Sequence, residues 1–137
     1  MNFDNLLRVL DETAVVAVVT TKANGQSIAT PIWSMVVDGV PYVRSVLGAS
    51  AWWYRHVQSG RPVAFVLGDG SIAERDRSAA LELPREQVST IYVPVDDDVQ
   101  AKIDDELRRK YDGETASVNA MLTDDARSCT LRIVEAP

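Results

Sequence analysis

Residues 14–46 read AVVAVVTTKANGQSIATPIWSMVVDGVPYVRSV, and the turn signals in this stretch decide the fold. Ala14 to Thr20 is short and rich in β-branched residues, the composition of a buried strand. Asn24-Gly25 follows, the strongest short-range hairpin signal, because both positions tolerate positive φ. Ser27 to Val37 reads as a second strand. It contains Pro31, which has no N–H to give to a ladder, so that strand must lie at an edge or carry a bulge. Asp38-Gly39 makes a second tight turn, and Val40 to Val46 a third strand. Three strands joined by two tight turns form an antiparallel meander.

Outward from the meander, Gly48-Ala49-Ser50 leads into AWWYRHVQSG at 51–60. Ser50 is a suitable N-cap and Gly60 a suitable C′ residue, so a short helix is expected between them. Pro62 to Leu67 is again strand-like, and Gly68-Asp69-Gly70 is a turn. Residues 71–83 leave strand and solvated rim both open. Thr90 to Val95 and Ser128 to Val134 read as strands. Asp96 to Tyr111 reads as a helix, with Val99, Ile103 and Leu107 on one face. Its acidic start and its Arg108-Arg109-Lys110 end suit the helix dipole, so Asp96-Asp97-Asp98 needs no metal. Phe3, Leu6, Leu7 and Leu10 predict an N-terminal helix, and Ser117 to Leu122 one more short one. The total is about six strands, and no Gly-rich loop joins a strand to a long helix, which speaks against nucleotide-binding α/β folds. The expected class is α+β, an antiparallel barrel with flanking helices.

The 137 residues are 46% apolar and 25% charged, enough for an ordinary core and one domain over residues 1–137. The net charge of −6 argues against nucleic acid and against an anionic membrane surface, since both demand clustered Lys and Arg. No apolar run is long enough to span a bilayer, and the N-terminus lacks the basic start of a signal peptide. Cys129 is the single cysteine, so no disulfide framework or zinc motif exists. The expected location is cytoplasmic.

No nucleophile elbow, P-loop, HExxH or EF-hand loop is present. The informative stretch is Tyr42 to Arg55, YVRSVLGASAWWYR. A strand carrying Arg44 and Ser45 turns through Gly48 into a helix near Ser50. A helix start offers free N–H groups to an anion, and Arg44 can add a charge-assisted bond. Trp52, Trp53 and Tyr54 beside it suit a phosphate joined to a flat ring. They equally suit a core, and Arg44 equally suits an ion pair on the strand face. Because Trp52 and Trp53 cannot easily both face one small core, one of them points to a partner, and a homodimer is expected. His56 reads as a half-exposed helix residue.

VVTTKANGQSIATPIWSMVVDGVPYVRS followed by GASAWWYRHV resembles the flavin-binding split β-barrels. It is most similar to the family catalogued as domain of unknown function 2255. The Thr-Pro-Ile-Trp strand, the Tyr-Val-Arg-Ser strand, the Trp-Tyr-Arg helix and the ELRRKYDG segment before Thr130-Leu131-Arg132 carry the likeness, over nearly the whole chain. The deazaflavin-dependent nitroreductases are more distant relatives. The resemblance implies a six-stranded antiparallel split β-barrel that binds FMN or a deazaflavin, coenzyme F-420. It implies Thr20, Thr21, Thr30, Pro31 and Trp33 along the cofactor, with Arg44, Ser45, Ser50 and Trp53 at its phosphate end. The implied activity is that of an oxidoreductase on a small organic substrate, with the cofactor carrying the hydride and no catalytic side chain. The other class left open is a non-catalytic barrel that binds a small aromatic ligand or a protein partner.

Overall fold

The computed structural model describes residues 2–137, with side chains from Phe3 onward. Helix α1 (Asn2–Glu12) precedes strand β1 (Val16–Thr21), which turns back into β2 (Ser27–Ile32). Strands β3 (Ser34–Val37) and β4 (Val40–Arg44) form the next hairpin, and a 3-10 turn at Gly48–Ser50 leads into α2 (Trp52–Gln58). Then come β5 (Val63–Val66), the one-turn helices α3 (Ile72–Arg75) and α4 (Arg77–Ala80), and the long β6 (Arg85–Val93). Helices α5 (Val99–Lys110), α6 (Thr115–Met121) and α7 (Asp124–Arg127) precede the last strand, β7 (Thr130–Glu135). The fold is α+β, with one antiparallel sheet and flanking helices.

The sheet has seven strands, in the order β2-β1-β5-β6-β7-β4-β3, not six. The difference lies at Trp33. The expected single strand from Ser27 to Val37 is two strands that pair with different neighbours. Ile32 pairs opposite Val16 on β1, whereas Ser34 pairs opposite Val43 on β4. β2 and β3 are thus the two edges of the sheet, yet only Trp33 separates them. One residue spans about 3.3–3.6 Å, so the sheet must curl until its edges meet there. That curl makes it a split barrel. Pro31 sits on edge strand β2, where its missing N–H breaks no ladder.

The period-2 geometry of the strands explains why β1 reads as uniformly apolar. Val16 and Val18 enter the barrel interior with Leu6, Leu10, Phe65, Leu131 and Ile133. Ala17 and Val19 face the other way, against Ala73 and Ala80 of α3 and α4. A third cluster, with Met35, Tyr42, Ile103 and Leu107, packs α5 and α6 on the outside of β3 and β4. The undecided segment 71–83 holds the two one-turn helices, and Gly70 fits them tightly to the sheet. Its N–H donates to Val15 O at 2.9 Å, and any Cβ there would overlap the backbone of Val16 and Ala17.

The expected start of α2 is corrected, whereas Gly60 is its C′ residue as expected. Ala51, not Ser50, is its N-cap, and no side chain caps it. Ser50 is exposed, and its N–H closes the preceding 3-10 turn on Leu47 O at 3.2 Å. The extra turn sets the helix start one residue later.

Candidate functional site

Two cavities flank Trp53. The first, of about 310 Å³, is lined by Pro31, Ile32 and Trp33 at the strand bend, Val46 beyond β4, and Ala120 and Met121 of α6. Trp33 is half-buried there, its ring stacked on Tyr111 with centroids 3.8 Å apart and planes 5° off parallel. It therefore offers a fixed aromatic wall. Trp53 is 6% exposed, lines the same cavity and meets Tyr54 edge-on at 5.8 Å.

Arg44 reaches this first cavity, but its guanidinium is committed elsewhere. Nε donates to Thr130 Oγ1 at 3.0 Å, Nη1 to Asp104 Oδ1 at 2.8 Å and to Met121 O at 2.9 Å, and Nη2 to Gln100 Oε1 at 2.7 Å. Arg127 binds the other Asp104 oxygen at 2.7 Å. Burial pulls the Arg44 pKa down, and Asp104 opposes that shift. A buried charge needs this many partners to be tolerated. Arg44 locks β4 to β7, α5 and α6; it is not the free anion-binding arm that its place before α2 suggests.

The second cavity, of about 550 Å³, lies on the other side of Trp53 beside Ile28 and Thr30. Four cations line it: Lys22 from the β1–β2 hairpin, Arg55 from α2, Arg61 from the turn into β5, and Arg77 from α4. No carboxylate lines it, although the whole chain is acidic at −6. Among the described residues none of these four cations joins an ion pair. Arg61 donates to Thr21 O at 3.1 Å, and Arg55 lies over the Trp52 ring at 5.0 Å. Unpaired cations on a concave wall create the positive field that draws an anion. His56 also lines this cavity and is 8% exposed. Burial first, then Arg61 and Lys22, lowers its pKa, which favours the neutral imidazole.

The expected site residues therefore divide. Pro31, Trp33 and Arg44 meet at the first cavity, Thr30 lies at the second, and Trp53 belongs to both. Thr20 is fully buried, with its hydroxyl 2.9 Å from His56 Nδ1. Thr21 is half-buried beside Pro62 O, 3.5 Å away. Ser45 is buried and donates to Gly48 O at 2.6 Å, bracing the turn. Ser50 stays outside both cavities. The four cations gather at the hairpin end, whereas Arg44 is the one charged side chain lining the cavity at the strand bend. Arg55, Arg61, Arg77 and the cavity role of His56 are not among the expected site residues. The available signal was the spacing Trp52, Arg55, His56, which places an aromatic, a cation and an imidazole side by side on one helix.

The model of a family described as "Uncharacterized protein conserved in bacteria (DUF2255)" matches residues 6–133. No curated protein matches the chain. Solved structures do. The conserved hypothetical protein Rv2991 from Mycobacterium tuberculosis is 15% identical, with a TM-score of 0.65 over 100% of this chain and 82% of that one. HutZ, described as the heme storage protein from Vibrio cholerae, is 12% identical, with a TM-score of 0.63 over 98% of this chain and 89% of that one. ChuZ from Campylobacter jejuni is 12% identical, with a TM-score of 0.65 over 98% of this chain and 51% of that one. At these identities the likeness is one of fold.

Proposed function

The chain belongs to the DUF2255 family, and from that premise we propose that it binds a flat, anion-bearing ring, FMN or a deazaflavin, at the two cavities that share Trp53. The observation that carries this is the cluster of four unpaired cations beside two tryptophan walls. A phosphate on the basic side and a ring on the apolar side is the division such a ligand needs, and Trp53 stands between the two. The residues present match the donor set such a ligand needs, four cations for its anion and two tryptophans for its ring. Lys22, Arg55, Arg61 and Arg77 would hold the anion, while Trp33 and Trp53 would orient the ring and keep water from it. When bound, a flavin supplies hydride transfer to or from a small organic substrate, and the protein's part is to place it.

The proposal includes a homodimer. Leu47 and Trp52 are 67% and 69% exposed beside the cavities, and a second copy covering them would complete the wall. A second reading, non-catalytic binding of a small aromatic ligand, is favoured by the likeness to HutZ, itself described as a heme storage protein. A heme likewise joins a flat ring to anionic groups.

Titration of FMN, coenzyme F-420, riboflavin and heme, followed by tryptophan fluorescence and ligand absorbance, separates these readings. A charge-assisted hydrogen bond contributes about 1.5–3 kcal/mol. Arg61→Ala is therefore expected to weaken FMN about 10- to 150-fold and riboflavin far less. Binding of heme alone would favour the second reading. Equal losses for FMN and riboflavin would remove Arg61 from the phosphate end.

A further inference from the structure

We propose that the basic cavity is a proton-linked anion site, in which His56 takes up a proton together with a phosphate group and donates to it through Nε2. This rests on the anion-binding half of the reading above and not on its ring.

The geometry begins at Thr20. Its hydroxyl holds His56 Nδ1 at 2.9 Å, so Nε2 is the nitrogen left over. Nε2 has no partner among the described residues, yet no buried side-chain nitrogen or oxygen in them lacks one. Nε2 is therefore not sealed in the interior but open to the cavity that His56 lines. A hydroxyl both donates and accepts. Thr20 can donate to Nδ1 of the neutral ring and, after turning its proton, accept from Nδ1–H of the imidazolium. The support on the inner side thus survives a change of charge.

The surroundings decide which state holds. Lys22 from the hairpin, Arg61 from the segment before β5, Arg55 from the same helix and Arg77 from α4 line the same space as His56, and no carboxylate lines it. The Trp52 ring lies 6.3 Å from the imidazole. A fifth positive charge is opposed by like charge and by burial, which agrees with the lowered His56 pKa. An anion seated among these cations removes most of that repulsion and offers Nε2–H an acceptor. Binding must then raise the His56 pKa, and by linkage protonation must tighten binding by the same factor.

Inorganic sulfate is the probe, because it carries two charges across the whole range from pH 8 to 5 and contributes no titration of its own. The chain has one histidine, so its imidazole resonance in NMR needs no variant to be assigned. The pKa is expected to start below the ordinary value near 6.5 and to rise by about one unit with saturating sulfate. That corresponds to about tenfold tighter sulfate binding at the acid end. His56→Gln is expected to bind sulfate with no such gain. An unmoved His56 pKa, or no sulfate binding at any pH, overturns the proposal. If sulfate shifts His56 while neither FMN nor F-420 binds, the flavin reading fails and this one stands. If FMN binds with its pH profile untouched by His56→Gln, this one fails and the flavin reading stands.

Discussion

Arg44 is 1% exposed and carries its charge inside the protein, held by side chains of α5 and β7 and by a backbone carbonyl of α6. Removing it leaves the buried Asp104 with Arg127 alone, and breaking one partner out of a buried pair costs about 3–5 kcal/mol. Arg44→Met is therefore expected to lower the urea midpoint strongly, while ligand affinity of the folded fraction stays near wild type. A large loss of FMN binding at unchanged stability would return Arg44 to the anion site. The sequence left an ion pair and an anion site equally open at Arg44, but it could not name the partners. Asp104, Gln100 and Thr130 lie 60, 56 and 86 positions away, and no local spacing announces them. What was near in sequence, the turn at Gly48 and the following helix, supported only the anion alternative. The same blindness hid the basic cavity, since Lys22, Arg55, Arg61 and Arg77 converge only once β1, β2, α2 and α4 are packed.

Where α1 ends, β3 begins and α5 closes, a small polar cluster ties three elements together. Lys110 Nζ donates to Leu10 O and to Ser34 O, each at 2.8 Å. Ser34 Oγ donates to Leu10 O at 2.7 Å, and the Tyr111 hydroxyl donates to Ala14 O at 2.7 Å while accepting from Ser34 N–H at 3.1 Å. Burial pulls Lys110 down to about 8. Between that value and the ordinary 10.5, the unfolded chain holds a proton that the folded chain has released, so stability rises with pH there. Below about 8 both states are protonated, and the cost of the buried charge is fully present. From pH 7.5 to 9.5 the urea midpoint of wild type is expected to rise relative to Lys110→Met. The gain is less than about 1 kcal/mol after solvent screening; parallel profiles would refute it. At this scale the sequence was most legible. Asn24-Gly25 and Asp38-Gly39 placed both hairpins, and the Val99, Ile103, Leu107 stripe placed α5. The start of β6 at Arg85 was not legible, because its outer positions are polar and exposed. The break at Trp33 was hidden as well: an apolar run through Ile32 and Met35 looks the same whether it pairs with one strand or two.

At the scale of the whole molecule, Trp52, Leu47 and Val46 are 69%, 67% and 47% exposed, large apolar side chains that a second copy of the chain would cover. Light scattering is expected to give twice the 15.1 kDa chain mass, and Trp52→Lys to move it toward the single-chain value. Wild type at 15.1 kDa would refute the dimer. The order of the sheet has a separate consequence, in time. β7 is the last strand in sequence yet lies inside the sheet, between β6 and β4. Until it arrives, β4 and β6 are both open edges and Arg44 lacks Thr130. The two early hairpins can form while the chain is still being made, but the barrel cannot shut before residues 130–135 have left the ribosome. Closing it then joins residues 86 apart, an entropic cost that the local hairpins do not bear. The nascent protein therefore passes through an interval with its sheet unzipped along β4 and β6, and it is then that a neighbouring chain can most easily pair with it.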